Sequence, residues 1–273
     1  MRLRGVRLAK PLRLLSLTSG SQGNCTWVGD DHAGVLIDCG GSNMRLQQGL
    51  EAAGGLERHP IDSILITHEH IDHVGGVGVV QRALAGRGCM PDVWATRGTW
   101  EGSKNLERGK IRCQEVIERS VFFVKHLKIE AIPVPHDTRE PVCFLVSNSH
   151  STAMVCTDLG RATSVIRERL KEVEILVMEF NHDPELLLNS EYPSSVRTRI
   201  RGDYGHLSNE QAYRLLVGNT PSLRHLVVGH ISNSTNTHEL ARKHAELARE
   251  HSGQSYSITL ARSREAIPSI SAW

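Results

Sequence analysis

Aromatic residues make up only 4% of the 273 positions, so stacking on exposed rings is not expected to be a main source of affinity for any ligand. Charge of one sign is not in excess either. The 32 Lys+Arg and 30 Asp+Glu leave a formal net charge of +2, too small for the molecule as a whole to act as a polyanion binder. No window approaches ~18 consecutive apolar residues, so no membrane span is expected. The basic N-terminus lacks the uninterrupted apolar stretch of ~7–15 residues that marks a secretory signal. Cys25, Cys39, Cys89, Cys113, Cys143 and Cys156 form no CxxC pair and no zinc-ribbon spacing. They read as reduced, mostly buried thiols of a cytoplasmic protein, with Cys39 set apart because it follows Asp38 at a strand end by the candidate site. Internal repeats and low-complexity linkers are missing as well. The expected organisation is a basic arm over residues 1–13, carrying Arg2, Arg4, Arg7, Lys10 and Arg13, followed by a single domain over residues 14–273. The arm reads either as solvated or as a contact for phosphate.

Histidine is what the chain has in abundance, fifteen in all. Strands and helices alternate around them. Residues 12–17, 25–28, 35–38 and 61–67 read as strands, 44–53, 76–85 and 99–108 as helices, and 93–95 as a further strand. The middle of the chain is richer in strands, at 121–125, 129–134, 142–147 and 152–157. A helix at 165–173 and a strand at 175–179 follow, then helices at 209–217 and 238–250 around a strand at 226–229. Such a pattern implies an α/β fold, a two-layered sheet core covered by helices.

Thr67-His68-Glu69-His70-Ile71-Asp72-His73 follows the apolar strand 61–67 directly. Histidines two apart in an extended turn project to one side, so His68 and His70 can share a metal ion, and Asp72 and His73 can hold a second nearby. Imidazole and carboxylate together suit Zn, Mn or Fe better than Ca or Mg, which prefer oxygen alone. Three more apolar strands end on ligand-type residues: 132–135 leads into His136, 154–157 into Asp158, and 226–229 into His230. Singly each is an ordinary cap or surface residue. Together they repeat one device, a rigid buried strand that delivers a ligand at its tip.

The HxHxDH turn followed in order by a lone His, a lone Asp and a last His resembles the metallo-β-lactamase superfamily. The segments 18–24 (TSGSQGN), 179–183 (EFNHD), 205–210 (GHLSNE) and 230–232 (HIS) resemble its YycJ/WalJ-like branch, and the likeness runs from about residue 12 to residue 247. It departs near the end, where Ser234-Thr235-Asn236 replaces a more acidic, Asn-rich run. The resemblance implies an αββα sandwich with a dinuclear site on one edge. His68, His70 and His136 would bind the first ion, Asp72, His73 and His230 the second, and Asp158 would bridge them. The cofactors implied are two divalent ions per chain, Zn²⁺ or Mn²⁺, with Fe accepted by the same ligands.

Two such ions can hold a bridging water, lower its pKa and polarise a phosphoryl or carbonyl oxygen, which makes hydrolysis the expected reaction. Asp158 in the bridging place, with Asp72 and His73 both present, points to the phosphodiesterase and thioesterase side of the superfamily. Asp158 and His230 lie too close in sequence to enclose the large inserted domain of the β-CASP nucleases. Asp72 and His206 are the catalytic candidates, His206 as the proton donor to a leaving oxygen, oriented by a carboxylate such as Glu179, or alternatively as a neighbour of the helix that starts near Asn209. Ser19, Asn24, Asn181, His182 and Arg199 are the substrate-binding candidates. Arg197, Arg199 and Arg201 alternate in a segment read as extended, which would set all three on one side as a basic stripe suited to phosphate. The branch resemblance and this stripe together imply a nuclease acting on single-stranded DNA ends. The rivals are a small-molecule hydrolase of a thioester, lactone or cyclic phosphodiester, and a non-hydrolytic metal or mononuclear iron protein. His32, His59, His238, His244 and His251 follow no motif and are expected at the surface.

Overall fold

The computed structural model describes residues 10–107, 113–262 and 266–272. The first sheet contains β1 (Arg13–Thr18), β2 (Cys25–Gly29), β3 (Gly34–Ile37), β4 (Ser63–Leu65), β5 (Asp92–Thr96) and β6 (Cys113–Val116). The second contains β7 (Val121–Val124), β8 (Leu127–Pro133), β9 (Val142–Ser147), β10 (Thr152–Cys156), β11 (Ile175–Glu179), β12 (His225–Gly229) and β13 (Ser257–Leu260). The closing strand β14 (Ile270–Ser271) returns to the first sheet beside β1. Spatial order is β14-β1-β2-β3-β4-β5-β6 in one sheet and β13-β12-β11-β10-β9-β8-β7 in the other.

Neighbouring residues on these strands feed different cores, because successive side chains of a strand point to opposite faces. Leu14, Leu65, Val177 and Val227 pack between the sheets. Leu15 and Ile64 face outward beneath the helices Asn43–Ala52 and Val77–Ala85. Leu176 and Val228 face outward beneath the helices Ser164–Leu170 and His238–Ser252. Strands buried on both faces explain the unbroken apolar runs of the sequence. The layers are helix, sheet, sheet, helix, so the expected αββα sandwich is the architecture.

Several expectations need correction. The helix at 99–108 is two short ones, Arg97–Gly102 and Lys104–Glu107: the Thr96 side chain caps the first at an earlier start, and the extended backbone of Ser103 breaks it from the second. Strands β6, β13 and β14 were not legible as strands. Residues 194–201 form a helix, not an extended stripe. His59 is fully buried rather than on the surface, packed edge-on against Trp27 at 4.5 Å between ring centres. Residues 1–9 of the basic arm and the Cys113 side chain lie outside what is described; Leu12 is buried and Arg13 opens β1. The five described cysteines are unpaired thiols.

Candidate metal centre

All the ligand candidates stand at the ends of strands or just beyond them, on one edge of the sandwich. His68 and His70 leave β4, and Asp72 and His73 sit on the one-turn helix Ile71–Val74. His136 follows β8, Asp158 follows β10 and His230 follows β12. The backbone turns sharply at two of these tips, Asp158 and His230, with φ of 58° and 49°, and at Asp38 beyond β3, with φ of 61°. Left-handed backbone is costly for a residue with a side chain and persists where the surroundings impose it. Here it swings a carboxylate or imidazole off the strand axis toward the common centre.

The donor atoms converge. His68 Nε2 lies 3.2 Å from His70 Nδ1, and His136 Nε2 lies 3.3 Å from that same atom. His73 Nε2 is 3.4 Å from Asp158 Oδ2, and His230 Nε2 is 3.5 Å from Asp158 Oδ1 and 3.8 Å from Asp72 Oδ2. Donor atoms within 4.8 Å of one another form the groups His68/His70/His136, His68/His73/Asp158 and Asp72/His73/His230. The residues present fit divalent cations. Asp158 Oδ2 and His230 Nε2 are buried without a hydrogen-bond partner, an arrangement that costs free energy unless a cation meets them. Imidazole and carboxylate donors suit a borderline ion.

The far side of the His68, His73, His136 and His230 rings is also held, which sets ring orientation. His73 Nδ1 meets Asp38 Oδ2 at 2.8 Å, His68 Nδ1 meets Thr67 Oγ1 at 2.9 Å, and His136 Nδ1 donates to Gly205 O at 3.1 Å. His230 is gripped three ways. Its N–H donates to Ser19 Oγ, its carbonyl accepts from the Asn181 amide, and Nδ1 lies 3.6 Å from Glu179 Oε2. Burial favours uncharged rings, and His68 and His136 are shifted down accordingly. Burial acts on His73 too, but the Asp158 and Asp38 carboxylates overcome it and lift His73 to about 9. Burial likewise opposes ionisation of Asp158, and the surrounding His230 and His73 hold it well below the usual carboxylate range. The carboxylates of Asp38 and Asp158 thus give the pocket a field that favours positive charge.

Asp38 was not singled out as a site residue, although its place before Cys39 at a strand end was the available signal. Its Oδ1 accepts from the Thr67 backbone N–H and its Oδ2 from the Thr67 hydroxyl, both at 2.9 Å. Asp38→Asn keeps a residue that tolerates φ near 61° but removes the charge behind His73. Metal affinity is expected to fall by ~10–100-fold, as read by competition with a chromophoric chelator. The metal-free protein should melt at a lower temperature too, because the carboxylate that raises buried His73 also stabilises the fold.

His206 stands at the lip of the centre. Its Nδ1 lies 3.0 Å from Glu179 Oε2 and 3.7 Å from Asp158 Oδ1, and its side chain is 18% exposed. Burial alone would raise Glu179, but His206 and His230 hold it down at about 2. Its Oε1 accepts the backbone N–H groups of Leu159 and Leu207, which fixes the carboxylate. A cleft of about 270 Å³ opens over the centre, lined among others by His70, Asp72, Tyr192, Arg199, His206 and Ser232.

The five substrate-binding candidates divide. Arg199 reaches the cleft and donates to Asp137 Oδ2 at 2.8 Å. Ser19 and Asn181 grip His230, and the Asn24 amide lies 3.0 Å from His73 Nε2 and 3.3 Å from Asp72 Oδ2. His182 lines a separate cavity with Arg197 and Arg201. The basic stripe is therefore corrected: on a helix, positions two apart point to opposite sides, so Arg199 faces the cleft and its two neighbours face away. Ser234-Thr235-Asn236 stitches the 180–183 segment in place. Asn236 donates to the carbonyls of Phe180 and Asn181, and Thr235 O accepts from the Asp183 N–H.

A double-sheet sandwich with histidines and aspartates gathered on one edge defines a metal-dependent hydrolase of the metallo-β-lactamase fold, and this chain belongs to the metallo-β-lactamase superfamily. Residues 34–231 match the Beta-lactamase superfamily domain. Within the family the chain falls with the YycJ/WalJ exodeoxyribonucleases. It is 33% identical over 241 residues to exodeoxyribonuclease YycJ of Bacillus anthracis, covering 87% of this chain and 89% of that one. Exodeoxyribonuclease WalJ of Streptococcus pneumoniae is 30% identical over 235 residues, covering 82% and 83%. In fold the chain resembles the metallo-β-lactamase fold protein YhfI of Bacillus subtilis, with a TM-score of 0.70 at 15% identity over 94% of this chain and 99% of that one. No helix among the described residues is long and apolar enough to cross a membrane.

Proposed function

We propose that this chain is a dinuclear metal-dependent phosphodiesterase, an exonuclease that removes nucleotides from single-stranded DNA ends in the cytoplasm. His68, His70 and His136 would hold one divalent ion, Asp72, His73 and His230 the other, with Asp158 between them, Zn²⁺ or Mn²⁺ being the expected ions and Fe chemically acceptable. When bound, such a pair supplies an acidified water and polarises a phosphoryl oxygen. The chain's own residues do the rest. Asp72 turns a carboxylate oxygen toward the centre beside His230. Arg199, at the cleft wall, offers guanidinium N–H groups to a phosphate while Asp137 holds one of them. His206 donates a proton to the departing oxygen, and Glu179 keeps its Nδ1 occupied so that the other ring nitrogen serves the reaction.

The observation that carries this reading is the His206–Glu179 pair at the lip of the donor cluster, because a phosphodiester's alkoxide leaving group needs a proton. The relatives' names supply the DNA. Purified protein with each metal and single strands labelled at the 5′ or 3′ end is expected to release nucleotides from one end. Turnover of a thioester or bis-aryl phosphate with no nucleotide released from any strand would refute the nuclease. DNA affinity is expected to fall with salt, with a log–log slope of about −0.7 for each phosphate contacted. A flat response would remove Arg199 from substrate binding.

A further inference from the structure

The helix Ser194–Arg201 separates two hollows. One is the metal cleft, which Arg199 and Ile200 line. The other, of about 390 Å³, lies on the opposite side of the helix, lined by Arg197 and Arg201 one turn apart, by Thr198 and Ser194, and by His182, Pro184, Leu187 and Leu188. Its walls combine four kinds of chemistry. Leu187, Leu188 and Pro184 give an apolar floor, with the Leu188 side chain open to solvent. Ser194 and Thr198 bring hydroxyls. The two guanidiniums stand on one side of the helix, four residues apart, and Arg197 spends one N–H on the carbonyl of Ser190. His182 is 2% exposed and its Nδ1 has no hydrogen-bond partner among the described residues. Burial holds the His182 ring at about 4, so it is an uncharged imidazole near neutral pH.

An apolar floor, a neutral ring nitrogen, hydroxyls and paired guanidiniums match a planar heterocycle that carries an anion. We propose that this cavity is a nucleotide-binding subsite, distinct from the metal cleft and joined to it by the helix Ser194–Arg201. The base lies on Leu187 and Leu188 beside His182, and the phosphate meets Arg197 and Arg201. The nucleotide is either the next residue of a bound strand or a free mononucleotide. Only that choice of source rests on the nuclease reading.

The test measures dTMP binding to the metal-loaded protein by calorimetry, with thymidine and inorganic phosphate as separate probes. Leu188→Asp combined with Arg201→Glu alters two exposed side chains, so the variant is expected to melt at the wild-type temperature. It should bind dTMP at least tenfold more weakly, and the wild type should bind thymidine or phosphate alone at least tenfold more weakly than dTMP. The His182 ring ¹⁵N signals should shift on dTMP addition to the wild type. No dTMP binding, equal affinity in the variant, or equal affinity for phosphate alone would overturn the subsite, the last leaving only an anion site. Source is then resolved by turnover. A KM raised for long strands but not for a dinucleotide assigns the cavity to the strand, and a rate changed by added dTMP in the wild type alone assigns it to free nucleotide. A protein that hydrolyses no nucleic acid would refute the nuclease and leave the dTMP measurement to decide the subsite.

Discussion

Asp158→Ala is expected to strip the centre of both ions and to abolish turnover. One Asp158 oxygen lies 3.4 Å from His73 Nε2, and the other lies 3.5 Å from His230 Nε2 and 3.7 Å from His136 Nε2, so a single carboxylate serves both donor groups. It is fully buried and stands in the left-handed backbone region, so no neighbour can be rearranged cheaply to replace it. Removing it deletes the negative charge that does most, against burial, to raise His73 and His230. Loss of several kcal/mol of transition-state stabilisation corresponds to a rate lower by ~10³-fold or more. Metal content by mass spectrometry should drop from about two ions per chain to none held through gel filtration. Asp158→Asn, which keeps the shape, should share the defect and show that charge, not packing, is responsible. One tightly held iron per chain, unaffected by either substitution, would refute the dinuclear centre and favour an oxidoreductase.

His206→Ala should behave in the opposite way, losing rate while keeping its metals. The imidazole is tied to Glu179 through Nδ1 and sits at the lip, partly exposed, whereas His68, His73 and His136 are sealed in. A positioned general acid contributes ~10²–10⁴-fold, so kcat on single-stranded DNA should fall by that factor. The leaving group tells an acid from a structural prop. A p-nitrophenyl phosphodiester expels p-nitrophenolate, which leaves without needing a proton, so His206→Ala should cost it far less than it costs DNA. Equal losses on both substrates would remove the acid role. Loss of metal would make His206 a ligand, a reading its grouping with His136 and Asp158 permits.

The ligand types were legible because each follows a β-branched, apolar strand, and a strand buried on both faces announces itself locally. His68 to His73 even share one turn. What stood behind them was not legible. Asp38 meets His73 across thirty-five positions because β3 and β4 run side by side in parallel, a pairing that no local pattern encodes. His59 looked like a surface residue because nothing in its neighbours reveals Trp27, which packs against it from β2.

The 196–201 segment marks the boundary between the two kinds of information. Alternating Arg has period two and reads as a strand. Val196 and Ile200, four apart and both half-buried, have the period of a helix, and Pro193 immediately before it suits a helix start. Both patterns are present in the same letters, and only the fold's demand that Val196 and Ile200 be covered selects one. The amino-acid sequence by itself determined a two-layered sheet core with ligand-type residues at strand ends, since burial and strand ends are written locally. The αββα sandwich and the sharing of ligands between two ions were implied by the family resemblance. The tertiary structure alone decided which way each arginine faces, what orients each imidazole, and that a second cavity lies behind the helix, since those depend on contacts between strands and helices far apart in the chain.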